Sequence, residues 1–184
     1  MVYISDPQRA VISKSRFREP IEYLIANSDF ATTHFWHETG FIELLETGLV
    51  DSPPYEFRQQ MICSNCFGTT AFVSGLEGLF QSHPNNLFPS RRRSPGYICP
   101  DSMHSFLTSD YVEEISSPKP DCIVAMGKKT LQGDLFRVFF DLFHTAVYLS
   151  EGQVFEQMGS CYPFSVYTLR DSSNCRFFRI KTFK

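Results

Sequence analysis

Apolar residues recur at helical spacing through the first half of the chain and at alternate positions through the second. Phe17 to Asn27 places Ile21, Leu24 and Ile25 at i, i+3 and i+4, and Pro20 fits the first turn. Thr33 to Glu46 carries Trp36, Phe41, Leu44 and Leu45 and stops near Gly48. Asn65 to Phe80 forms a third helical stretch with Ala71, Phe72, Leu76, Leu79 and Phe80 as its buried stripe, weakened by Gly75 and Gly78. Residues 82 to 100 hold Pro84, Pro89, Pro95 and Pro100 together with Asn85-Asn86 and Arg91-Arg92-Arg93, the composition of a loop. Asp101 then reads as the N-cap of a helix bearing Met103, Phe106, Leu107, Tyr111 and Val112, closed before Pro118.

From Asp121 the pattern changes to short β-rich runs: Cys122 to Met126, a stretch within Leu135 to Phe140, His144 to Leu149, Gln153 to Gln157, Phe164 to Leu169 and Arg176 to Phe183. Helices first and strands after predict an α+β fold, a helical N-terminal half packed on an antiparallel β-sheet.

Composition narrows the possible roles. A chain of 184 residues, 42% hydrophobic and 20% charged, is sized for one domain with its own core. Seventeen basic against 20 acidic residues leave a net charge of −3, which lacks the basic stripe that nucleic-acid binding needs, so nucleic acid is not an expected partner. No apolar run approaches the roughly 18 to 20 residues of a membrane helix, so no membrane partner is expected. The start, Met-Val-Tyr-Ile-Ser-Asp-Pro, predicts a cytoplasmic protein or one secreted by a signal-peptide-independent route. Six irregularly spaced cysteines are too few for a disulfide scaffold and read as mostly reduced thiols. Nineteen phenylalanines point to an aromatic core.

The segment Gln60-Met-Ile-Cys-Ser-Asn-Cys66-Phe-Gly puts Cys66 at the start of the third helix. Unpaired N–H groups and the helix dipole favour an anion there, which lowers a thiol pKa from about 8.5 and supplies donors for an oxyanion. The matching base is His144, at the head of a short alternating strand that hairpins at Ser150-Glu151-Gly152. A three-residue loop with Gly152 in the left-handed bulge position pairs Leu149 with Gln153 and Ala146 with Glu156, which sets Glu156 on the face of His144. A plain two-residue turn slips the register by one and presents Gln157 instead.

These residues resemble a family. Asn65-Cys66-Phe67-Gly68 is similar to the Asp-Cys-Ser-Gly of the NlpC-type cysteine peptidases. His144-Thr-Ala-Val-Tyr-Leu-Ser-Glu-Gly is similar to their His-Val-Gly-Ile-Tyr-Leu-Gly-Asp-Gly, and Pro120-Asp121-Cys122-Ile-Val to the Pro-Gly-Asp-Leu-Val that enters their central sheet. Gln60, six residues before Cys66, is similar to the papain-family glutamine that donates to the oxyanion hole. The likeness spans residues 60 to 80 and 118 to 158, about a third of the chain. It departs from the family at Asn65, where the family has Asp, and at Glu156, where it has His, Asn or Gln. The resemblance implies a single papain-like domain over 1–184, with 1–60 as a helical N-terminal extension and 61–184 as the catalytic core. It implies a cysteine hydrolase or amidase with Cys66, His144 and Glu156 as the triad and Gln60 at the oxyanion, acting on a peptide or glutamine amide without a cofactor. The alternative is a catalytically inactive papain-like module that binds a protein partner.

Other clusters carry less. Cys63-Ser-Asn-Cys66 has no second half at zinc-site spacing. His34 and His37 with Glu38 do not form His-Glu-x-x-His, and Arg91 to Arg93 read as a solvated charge cluster. Cys99, Cys122, Cys161 and Cys175 read as structural.

Overall fold

The alternating runs of the second half become one sheet in the computed structural model, which describes residues 4–26, 64–86, 88, 95–132, 137–157, 164–170 and 172–181. Its strands are β1 Val112–Ile115, β2 Cys122–Gln132, β3 Arg137–Ser150, β4 Gln153–Gln157, β5 Phe164–Thr168 and β6 Cys175–Ile180. They lie in the order β1-β6-β2-β3-β4-β5, and every neighbouring pair is antiparallel. The described helices are α1 Asp6–Lys14, α2 Arg18–Ala26, α3 Cys66–Val73 and α4 Pro100–Leu107, with a 3₁₀ turn at Glu77–Phe80. Helices on an antiparallel sheet are what the hydrophobic pattern predicted.

Alternation gives the sheet two unlike faces. On one, α1 and α2 bury Val11, Ile12, Ile21 and Leu24 against Val147, Leu149, Phe155 and Val166. Beside them α3 and α4 bury Phe67, Ala71, Met103 and Phe106 against Ile123, Ala125, Leu142 and Phe178. The segment before residue 60 therefore contributes α1 and α2 to the same core as the strands. The other face carries a smaller cluster of Cys122, Val124, Ala146, Val154 and Phe177, bordered by Met126, Tyr148 and Tyr167.

Three expected elements differ in extent. The stretch 65–80 is not one helix. Gly75, at φ +70°, closes a Schellman motif in which Leu76 N–H donates to Ala71 O at 2.7 Å and Gly75 N–H to Phe72 O at 3.0 Å. The helix expected from an Asp101 cap has Cys99 as its cap and Pro100 at N1, and it ends at Leu107. Thr108 and Ser109 turn their hydroxyls back onto the carbonyls of His104 and Phe106, and Val112 opens edge strand β1. The runs 135–140 and 144–149 join into the single strand β3.

Helix α1 escaped the periodicity because only Val11 and Ile12 are buried in it. Its start is set instead by a capping box, in which Ser5 N–H donates to Gln8 Oε1 at 2.9 Å. The helix expected over 33–46 lies outside the described residues.

Candidate active site

Helix α3 starts where it does because Asn65 caps it. Asn65 is extended, its Oδ1 accepts from Gly68 N–H at 2.9 Å, and its carbonyl accepts from Thr69 N–H at 2.8 Å. Those bonds leave the N–H groups of Cys66 and Phe67, the first two helical positions, without partners inside the helix. The cap is locked from the far side too, since Asn65 Nδ2 donates to Ile98 O at 2.8 Å. This close crossing requires glycine at 68, where a Cβ would stand 1.6 Å from Gly96 O.

Strand β3 delivers His144 through a bulge. Met126 pairs with His144 but Gly127 pairs with Leu142, so Phe143 is an extra residue in the ladder. The phase therefore flips between Leu142 and His144. Leu142 packs into the helix-side core, while His144 takes the opposite phase, shared with its cross-strand partner Met126.

The hairpin combines the two alternatives that the sequence left open. Glu151 and Gly152 both have positive φ, 53° and 76°, and Ser150 pairs with Gln153 around them, so the turn has two residues. A bulge at Leu149 then restores the register, giving Tyr148 opposite Val154 and Val147 opposite Phe155. The printed ladder ends at Val147 and Phe155, and beyond it Glu156 meets His144. The expected pairing of Leu149 with Gln153 does not occur, because the bulge takes up Leu149.

The consequence is that the three residues come together. His144 Nε2 bonds to Glu156 Oε2, and Cys66 stands near enough to the imidazole to raise its pKa. With Nε2 engaged by the carboxylate, Nδ1 is the nitrogen left for sulfur. All three residues are buried, at 6%, 8% and 4% exposure for Cys66, His144 and Glu156. Burial alone would lower the imidazole pKa. The interactions with Cys66 and Glu156 overcome it, and raise His144 from 6.5 to about 9.

Two neighbours hold the helix of Cys66 in place. Gln157 faces the helices and is 1% exposed, and its Oε1 accepts from Ser64 Oγ at 2.7 Å and Thr69 Oγ1 at 2.8 Å. Thr145 Oγ1 donates to Cys66 O at 3.4 Å and lies 3.0 Å from Thr70 Oγ1. Cys66 is thus gripped at its carbonyl by Thr145 and at its thiol by His144. Sequence reasoning weighed Gln157 only as a substitute for Glu156 and missed Thr145 as an anchor. The signal was alternation itself, since residues adjacent to 144 and 156 must face the helices.

Gln60, Cys63, His34, His37, Arg91, Arg92, Arg93 and Cys161 lie outside the described residues. Cys66, Cys99, Cys122 and Cys175 form no disulfide. Among the described residues no cluster of His, Cys, Asp and Glu could hold a metal ion, and no helix is long and apolar enough to cross a membrane. No family model, curated protein or solved structure matches this chain.

Proposed function

We propose that this chain is a cysteine-dependent amide hydrolase or acyltransferase with a papain-like arrangement, in which Cys66 is the nucleophile, His144 the acid and base, and Glu156 the group that orients the imidazole. The observation that carries this is the His144–Glu156 bond with Cys66 beside the imidazole at the start of a capped helix. An imidazole with a pKa of about 9 stays protonated at neutral pH and favours the thiolate beside it.

The thiolate attacks a carbonyl carbon and forms the C–S bond, and the negative charge passes to oxygen. The N–H groups of Cys66 and Phe67 face that oxyanion, and Gln60 supplies a side-chain donor as its resemblance to the papain-family glutamine implies. Protonated His144 gives its proton to the amide nitrogen as the C–N bond breaks, which releases an amine and leaves a thioester. Neutral His144 then takes a proton from water, or from an acceptor amine, as it attacks the thioester, and thiolate is regenerated.

The substrate favoured is a peptide or glutamine amide of a protein rather than cross-linked cell wall. A net charge of −3 does not favour adsorption to an anionic polymer. The test is incubation with purified peptidoglycan and, separately, with candidate proteins, each beside Cys66→Ala. A mass gain of about one unit at a glutamine, the amide-to-acid difference, or peptide cleavage lost in the variant supports the proposal. Release of wall peptides that disappears in the variant overturns the substrate choice. Silence in every assay with an unreactive Cys66 overturns the enzyme and leaves the protein-binding module.

A further inference from the structure

Tyr167 shares the sheet face of Glu156. Strand β5 runs beside β4 with Glu156 opposite Ser165 and Val154 opposite Tyr167, so Tyr167 lies diagonally across from Glu156 on the face that carries His144. Its hydroxyl lies 3.9 Å from the sulfur of Met126, the cross-strand partner of His144. The phenol therefore reaches from β5 to a residue of β2, over the two strands that bear the His–Glu pair.

We propose that Tyr167 is a positioning residue of this site: its phenol donates to Glu156, holds the carboxylate toward His144, and sets how much of its charge the imidazole feels. This rests on the catalytic reading of Cys66, His144 and Glu156. A phenol has one proton, and a carboxylate accepts it far better than a thioether does. The phenol's own acidity agrees. Burial, then the charge of Glu156 and a hydrogen bond to it, then Cys175, all push its pKa well above the usual tyrosine value.

Among the described residues, the groups around the imidazole are few. Cys66 faces it from α3 and Glu156 from β4, Tyr167 approaches from β5, and Cys175 on β6 acts on the phenol. Lys128 and Asp141, paired with each other beyond the bulge, are exposed. Removing the phenol proton leaves Glu156 with more of its charge unshared, and that favours imidazolium. The sign is therefore fixed: losing the donor raises the His144 pKa.

The experiment is an NMR titration of labelled histidine in wild type, Tyr167→Phe and Met126→Leu, with Cys66 alkylation by iodoacetamide at pH 6 measured on the same samples. Tyr167→Phe is expected to raise the His144 pKa by about half a unit to one unit, and Met126→Leu, which keeps the phenol, to leave it in place. Superimposed titrations of wild type and Tyr167→Phe overturn the proposal, as does an equal shift in Met126→Leu. Should Tyr167→Phe fail to fold, 3-fluorotyrosine at 167, a stronger donor of the same shape, is expected to lower the His144 pKa, and no change there overturns the proposal. Slow alkylation in wild type defeats the nucleophile assignment by itself, whatever the histidine titration shows.

Discussion

Two buried thiols of this protein stand at the start of a helix beside an imidazole, and their surroundings differ in one decisive respect. Cys66 opens α3 and meets His144, a strand residue whose other nitrogen is held by Glu156. Cys99 caps α4 with its sulfur 3.7 Å from His83 Nδ1 and 3.1 Å from Ser102 Oγ. His83 sits in a turn, and its Nδ1 already accepts Asn85 N–H at 3.2 Å. That bond makes Nδ1 an acceptor, so it has no proton to give a thiolate. A helix start and a nearby histidine are thus common furniture. On the proposed reading, what separates a nucleophile from a packed thiol is the group behind the imidazole, which decides where its proton resides.

The sharpest way to break this comparison is to remove each sulfur. Cys66→Ala is expected to lower amide turnover about ten-thousand-fold, and Cys99→Ala to leave it near the wild-type rate. In the intact protein at pH 6, iodoacetamide should alkylate Cys66 roughly one hundred times faster than Cys99, because only Cys66 stands beside an imidazole backed by a carboxylate. Peptide mapping after brief labelling reads this directly, and equal rates would erase the distinction between the two sites.

The next effect is structural. Gly68→Ala drives a methyl group into Gly96 O at the cap of α3, whereas a Cβ on Gly78 meets nothing within 4 Å. The first substitution is expected to cost about 3 kcal/mol or more, and the second only the few tenths typical of a surface change. Urea unfolding of both variants measures the difference, and similar midpoints would show that the crossing is not tight.

Glu156→Gln should act more mildly on turnover, reducing it about one hundred-fold, and its mark is a changed pH dependence. A His144 pKa raised from 6.5 to about 9 contributes stability that is fully present below pH 6.5 and is lost as pH rises through about 9. Thermal unfolding of wild type should therefore weaken across that interval. The variant lacks the carboxylate that helps hold the proton, so its decline should end at lower pH and be smaller. An identical pH profile would show that Glu156 does not set the charge of His144.

How much of this was legible beforehand depended on how local each cause is. Cys66 was readable because a cap residue, a thiol and a buried helix follow one another within the run 65–73. The strands from Cys122 onward were readable because alternation is local too. The choice between Glu156 and Gln157 was not, because it turns on a bulge at Leu149 that no short pattern marks. Tyr167 was invisible for another reason: it comes to Glu156 by the pairing of β4 with β5, a contact between strands and not a spacing along one. The extent of the helix after Cys99 was overestimated since Tyr111 and Val112 fit a helical stripe as well as they fit the start of a strand.

The bulge at Phe143 has a further consequence for how this surface can change. Deleting Phe143 on paper leaves Leu142 opposite Gly127 and His144 opposite Met126, the partners they already have. Phe143 is thus a surplus residue in the ladder, and its ring is 56% exposed immediately beside the imidazole-bearing position. Variation at that one position does not propagate into the pairings on either side. A lineage could therefore exchange the side chain displayed next to the site, and with it what is welcomed there, while inheriting the proton-transfer geometry unchanged.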